Sequence, residues 1–422
     1  MKYTQLELRL KTKDNIIGRI QNIWFIASGV LATLFNYYWH GPEVHAWDLR
    51  FLIIRNILRQ YFAKSLPHTM SNDTSPTIDF EFIADYIAMN NLPNRPLQPS
   101  IGYNQEHNIE FNSKNCVEYN VPHYGLSSDK LNQMAELDKQ LAQTGHPRSI
   151  SCQVLVSTQS EFANCDPNCV LGMGPLDPDE RIVLYFHGGA YCVGERSLTH
   201  MHVFAHISRT TGLRVFSPNY RLAPRHGFPS QLHDCFMAYK HVLGRGFKPQ
   251  NIVLAGDSAG GALVVGVLLL LRDMKCTSPL AAVLVSPWVD ATCSGDSWTR
   301  NQHYDYLPAL PLTDPFHPTR MFYDAGRKFS PAMLKELQCP LVSPVFGTDL
   351  KGMPPMLVQM GRNELLHDDI EKFVAKVKHD NKDGCVRLET YEHMPHVFVL
   401  FDFADAAQKA FSSIGSFVRE HN

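Results

Sequence analysis

The stretch "NIVLAGDSAGGALVV", residues 251–265, decides how the chain folds. A short apolar run, Ile252 to Ala255, stops at Gly256-Asp257-Ser258-Ala259-Gly260. A second apolar run from Ala259 to Met274 follows, too long for a strand. The order is strand, tight turn, helix. In that context Gly-x-Ser-x-Gly reads as a nucleophile elbow, a sharp turn that lifts a serine hydroxyl above the sheet edge. Glycines are needed where backbone packs against backbone. The free N–H groups at the helix start favour developing negative charge. Ser258 is therefore the candidate nucleophile and Asp257 a supporting residue.

A serine hydroxyl needs a base, and the tetrahedral intermediate it would form needs hydrogen-bond donors. Upstream, "LYFHGGAYCVG" sets His187-Gly188-Gly189-Ala190 directly after another apolar run. Small side chains there let backbone N–H groups face a bound carbonyl oxygen. The candidate oxyanion hole is Gly188, Gly189, Ala190 and Ala259, with the last three as donors and His187 as motif support. Arg221 and Asp257 are read as structural residues around the site, and Cys192 as a small buried hydrophobe.

The flanks extend the pattern. Apolar strand signals cover Ser151–Ser157, Ile182–Phe186, Leu213–Ser217, Ala281–Val285, Met356–Met360 and Val386–Tyr391. Helical signals cover Ser127–Gln143, Leu198–Thr210, Gln231–Leu243, Asp368–His379 and Phe401–His421. Short buried strands alternating with helices predict an α/β fold: a mostly parallel central sheet with helices on both faces.

Several blocks then carry a resemblance. "HGGA", "YRLAPRHGFP" (Tyr220–Pro229), "GDSAGG", "VSPWVDAT" (Val285–Thr292) and "LVSPVFGTDLKGMPP" (Leu341–Pro355) occur in that order. From about Ile182 onward the chain resembles the hormone-sensitive-lipase branch of the α/β-hydrolases, the alpha/beta hydrolase fold-3 family. The resemblance implies a triad. Its acid block is matched by "GRNELLHDD", and aligning Leu366 with Asp368-Asp369 puts Glu364 at the acid position, with Asp368 as the fallback. Glu stands where the family has Asp, and either carboxylate can hold an imidazole. The family's His-Gly-Phe is matched by His396-Val397-Phe398, with Val in place of Gly. Nearby His393 is assigned a surface role. The excursion 294–338, rich in Tyr, Phe, Pro and His, is expected to help line the substrate pocket.

Composition limits the partners. Hydrophobic residues make up 44% of the 422, and the formal net charge is -2. That balance supplies no basic field for nucleic acid. Ten cysteines contain no Cys-x-x-Cys pair, and neither a metal nor a cofactor is expected. His200, His202 and His206 lack the acidic neighbour that a helical metal motif carries. Cys165 and Cys169 could form a disulfide or remain two thiols.

Residues 20–38 run without a charge, close to the ~20 residues of a spanning helix. Basic residues precede them (Lys2, Arg9, Lys11, Lys13, Arg19), and aromatics flank the end. This predicts a single-pass membrane anchor with the body on the far side, the lumen of the endoplasmic reticulum, where the Asn72 sequon could be glycosylated. Lying flat on the membrane or packing within the protein are the other readings. Residues 47–62 read as an amphipathic helix with Leu49, Ile53, Ile57 and Tyr61 on one face and Arg55 and Arg59 on another. The expected division is an anchor and amphipathic region (1–66), an irregular or helical cap and connection (67–147), and the catalytic domain (148–422).

The layout resembles fungal steryl acetyl hydrolases and arylacetamide deacetylases. It implies a serine esterase that removes short acyl groups from hydrophobic alcohols such as sterols, its partner a hydrophobic small-molecule ester. An acylglycerol lipase is the nearest enzymatic alternative. A non-catalytic ligand binder on the same fold would lack the histidine present here at position 396.

Overall fold

A computed structural model of the chain describes residues 27–42, 44–68, 101–111, 119, 121, 124, 126–160, 162, 177–194 and 200–421. Eight strands form one sheet: β1 (Ile101–Glu110), β2 (Ser149–Ser157), β3 (Ile182–Phe186), β4 (Arg214–Pro218), β5 (Ile252–Asp257), β6 (Ala281–Val285), β7 (Met356–Gly361) and β8 (Val386–Tyr391). Their spatial order is β1-β2-β4-β3-β5-β6-β7-β8. β2 runs antiparallel to both β1 and β4, and the remaining pairs are parallel.

Every residue of β3, β4, β5 and β6 is buried, as strands covered on both faces must be. This explains why they read as continuous apolar runs. The helices include α1 (residues 27–40), which is largely exposed, α2 (Leu49–His68), α3 (Leu126–Gln143), α4 (Met201–Thr211), α5 (Ser230–Gly244) and α6 (Ala259–Asp273). Short α7 (Ser297–Arg300), α8 (Pro318–Asp324) and α9 (Pro331–Leu337) lie in the excursion after β6, and α10 (His367–Asp380) and α11 (Asp405–Glu420) complete the set. All but the last two residues of α6 are buried. An all-round apolar helix of this kind belongs in the centre of the protein.

The sheet order places the site. From β3 the chain crosses to β4 on one side, then returns to β5 on the other. The loops leaving the carboxyl ends of β3 and β5 therefore diverge. Open α/β sheets bind ligands at this kind of crevice. The two motifs, His187-Gly188-Gly189-Ala190 and Gly256 to Gly260, occupy those two strand ends.

Two expectations change. Residues 101–110 were expected to be irregular connection, yet they form edge strand β1, in register with β2 from Tyr103↔Val156 to Glu110↔Ser149 after a shift at its start. The segment IGYNQEHNIE is too polar to show a strand's apolar alternation, because an edge strand has one side free of the core. The membrane expectation is also corrected. Among the described residues no helix is long and apolar enough to cross a membrane. α1 covers only the later part of the expected span, whose residues 20–26 lie outside the described residues, as do Asn72, Cys165 and Cys169. The single-pass endoplasmic-reticulum placement is therefore withdrawn.

α2 also turns differently. Its inward residues are Phe51, Leu52, Arg55, Ile57 and Leu58, so Arg55 is buried rather than solvated. Its guanidinium is accommodated because main-chain carbonyls, those of His303 and Tyr304, accept from it.

Candidate active site

Ser258 sits between β5 and α6 with φ 51° and ψ -121°, a conformation costly for any residue with a side chain. Strain of this kind, of order 1–3 kcal/mol, persists only where the surroundings impose it. Here the Ser258 N–H donates to the Val285 carbonyl at 2.9 Å, and the Ser258 carbonyl accepts from Trp288 N–H at 2.8 Å. Val285 ends β6 and Trp288 follows it, so the neighbouring strand fixes the turn. A Cβ on Gly260 would collide with the Phe186 carbonyl of β3. The glycine thus lets α6 start directly against the sheet.

The hydroxyl of Ser258 lies 2.8 Å from His396 Nε2. Glu364 Oε2 lies 3.8 Å from His396 Nδ1, an ion-pair separation rather than a hydrogen bond. The same carboxyl oxygen accepts from Ser286 Oγ at 2.5 Å and from Gly361 N–H at 3.2 Å. All three side chains are buried. Burial draws the His396 imidazole down to about 3, against the pull of Asp257. Burial also pushes the Glu364 carboxyl well above the ordinary range; Ser286 and Gly361 oppose this and Asp305 adds to it. His396 is therefore neutral at pH 7, the form that can accept a proton from Ser258.

Gly188, grouped with the oxyanion loop though not as a donor, gives its N–H to Asp257 Oδ1 at 3.0 Å. Gly189 (φ 110°) and Ala190 (φ 54°) take left-handed conformations that turn the loop. Among the described residues, the N–H groups of Gly189, Ala190 and Ala259 donate to no internal acceptor. Asp257 joins the two motifs, accepting also from Tyr185 Oη at 2.8 Å and facing His200 Nε2 at 3.2 Å. Burial alone would raise this carboxyl; His200, Tyr185 and His187 outweigh it and hold it below its ordinary value. His187 stacks on Tyr220, with ring centroids 4.3 Å apart, and its carbonyl accepts from Tyr220 Oη. Burial and the nearby His200 lower His187 to about 4.

The remaining sequence expectations fall out plainly. Asp368, the fallback acid, lies in the first turn of α10, where it pairs with Arg300 at 2.6 Å and accepts from Ser297 N–H. His393 is exposed. Arg221 grips Asp234 through Nε and Nη2, away from the triad. Cys192 is buried, its thiol pushed up to about 12. His206 stacks on Phe411 and faces Asp402, while His200 faces Asp257, so these histidines do not converge on one point. Phe322, from the excursion after β6, stacks on Tyr191 at 3.8 Å, and Tyr191 stacks on Trp288. These rings make an apolar wall beside Ala190.

Sequence reasoning missed two residues. Ser286 (φ 46°) donates to Glu364 and accepts from Val397 N–H at 3.0 Å, tying the acid to the histidine loop. Asp305 is fully buried, and its carboxyl accepts from Leu365 N–H at 2.7 Å and His396 N–H at 3.4 Å. Burial lifts it to about 6, against these donors. Ser286 stood inside a quoted family block; Asp305 had no local signal.

The sheet and the strained serine at its switch point define the class, an α/β-hydrolase. The chain belongs to the alpha/beta hydrolase fold-3 family, whose pattern matches residues 183–400, just over half of its length. It is 34% identical over 249 residues to an acetyl-hydrolase of Streptomyces hygroscopicus, covering 58% of this chain and 77% of that one. It is 31% identical to an esterase of Acinetobacter venetianus, covering 56% and 74%. A crystal structure of an esterase from the bacterial hormone-sensitive lipase family superposes with a TM-score of 0.60 at 26% identity, over 87% of this chain and 96% of that one. The enzyme class is that of carboxylic ester hydrolases.

Proposed function

We propose that Ser258, His396 and Glu364 form the catalytic triad of an esterase that removes short acyl groups from hydrophobic alcohols. The 2.8 Å contact between the strained Ser258 and a neutral His396 carries this reading. His396 Nε2 takes the hydroxyl proton as Oγ attacks the ester carbon. The N–H groups of Gly189, Ala190 and Ala259 receive the oxyanion. As the tetrahedral intermediate collapses, His396 gives its proton to the departing alcohol, leaving an acyl-Ser258. Water, deprotonated by His396, then releases the acid and restores the serine.

Glu364 holds the imidazole through its Nδ1 side. Formation of imidazolium gives the 3.8 Å gap reason to close, since a charge-assisted hydrogen bond is shorter and roughly twice as strong as a neutral one. The aromatic wall of Tyr191, Trp288 and Phe322 supports an apolar alcohol or acyl group. The acetyl-hydrolase relative supports a short acyl chain.

Initial rates on p-nitrophenyl acetate, an acetylated sterol and a long-chain triacylglycerol test the proposal. Turnover of the two acetyl esters is expected. Activity confined to the triacylglycerol would overturn it in favour of a lipase.

A further inference from the structure

α2 and the residue leading into it precede the segment that matches the family, residues 183–400. They nevertheless reach the loop that carries the histidine and the loop that carries Asp305. Trp47 is 1% exposed, and its indole Nε1–H donates to the His393 carbonyl at 2.7 Å, three residues before His396. Arg55 is 2% exposed, and its Nη1 donates to the carbonyls of His303 at 2.9 Å and Tyr304 at 3.3 Å. Arg59 Nη1 adds a contact to the His303 carbonyl at 3.1 Å. The next residue along that loop is Asp305, whose carboxyl holds Leu365 N–H, beside Glu364, and His396 N–H.

The contacts are connected. Arg55 lies over the Trp47 ring, its Cζ 5.3 Å from the centroid. Trp47 stacks on Phe51, and Phe51 stacks on Phe401 at 4.4 Å, just past the histidine loop. Tyr306, adjacent to Asp305, sits against both Phe401 and the His396 ring. A helix that served only to cover the core would not need an indole N–H and a buried guanidinium, both costly to desolvate without partners. These two donors end on two separate loops that meet at His396.

We infer that this N-terminal strap sets the catalytic geometry, with Trp47 and Arg55 as positioning residues that hold the histidine loop and the Asp305 loop in register with Ser258. The inference rests on the triad reading given above. Neither residue touches substrate. Losing either donor displaces His396 relative to Ser258, and misplacement near 1 Å can cost ~10²-fold in rate. Substrate binding, made elsewhere, stays as it was.

Full-length Trp47→Phe keeps the ring and removes the N–H. Arg55→Met keeps much of the stem and removes the guanidinium. The readouts are kcat and KM on p-nitrophenyl acetate, normalised to the serine labelled at end point by a fluorophosphonate. For each variant we expect kcat per labelled serine about tenfold lower and KM within about twofold of the parent. Arg55→Lys, with a single ammonium in place of the fork, should recover part of the loss and keeps the test alive if Arg55→Met does not fold. Fully labelled Trp47→Phe and Arg55→Lys proteins whose kcat stays within about twofold of the parent, or whose change falls in KM alone, would overturn the strap. Turnover that survives Ser258→Ala would instead overturn the triad reading, so the two failures are separable.

Discussion

The site is assembled from two regions that are held in different ways. The nucleophile elbow is local: Gly256 to Gly260 turn between one strand and one helix, and two backbone hydrogen bonds to the end of β6 lock it. The acid and histidine side is distributed: Glu364 and His396 hang on loops held by Ser286, Asp305 and the strap residues Trp47 and Arg55, which come from three other parts of the chain. The elbow is fixed by sterics and stores strain. The relay side is fixed by polar contacts between loops, so it can be loosened one contact at a time.

The largest break in this comparison comes at the relay's acid. Glu364→Gln keeps the size but removes the charge that stabilises the imidazolium. A fall in kcat on the order of 10³–10⁴ is expected, measured on p-nitrophenyl acetate, with end-point serine labelling intact. Gly260→Ala tests the elbow in turn. Its methyl would meet the Phe186 carbonyl, so α6 must shift away from β3. Activity and thermal stability should fall together, whereas Glu364→Gln should lower activity alone.

Asp305→Asn should have a smaller effect, about 10- to 100-fold in kcat, because the amide retains an acceptor for Leu365 or His396 but not both. The pH profile gives the mildest perturbation. Burial lowers His396 to about 3 from 6.5, so the native state binds fewer protons than the unfolded chain between those values. Its contribution to stability is present above pH 6.5 and is lost as pH falls through that window. Asp305, raised from 3.8 to about 6, acts oppositely: its contribution is present below pH 3.8 and is lost as pH rises through about 6. The acid limb of kcat/KM should therefore lie below pH 6.5, and a limb at or above that value would show a His396 more solvated than this geometry allows.

The same division governs what could be read from the chain. The elbow was legible because strand, turn and helix are consecutive residues with obligatory glycines. β3 (Ile182–Phe186) and β6 (Ala281–Val285) coincide with their apolar runs, since burial on both faces leaves no ambiguity. β1 was invisible because edge pairing needs no apolar alternation. Arg55 was read only as lying on a face apart from the apolar one, because nothing local reveals that two carbonyls some 250 positions away will receive it. Asp305 was missed for the same reason: its partners Leu365 and His396 are close only after folding.

Mass spectrometry of full-length protein quenched after reaction with a fluorophosphonate tests the central claim most directly. The expected result is one adduct, on the peptide carrying Ser258, forming orders of magnitude more slowly in His396→Ala. An adduct on another residue, or ester turnover unchanged in Ser258→Ala, would contradict it.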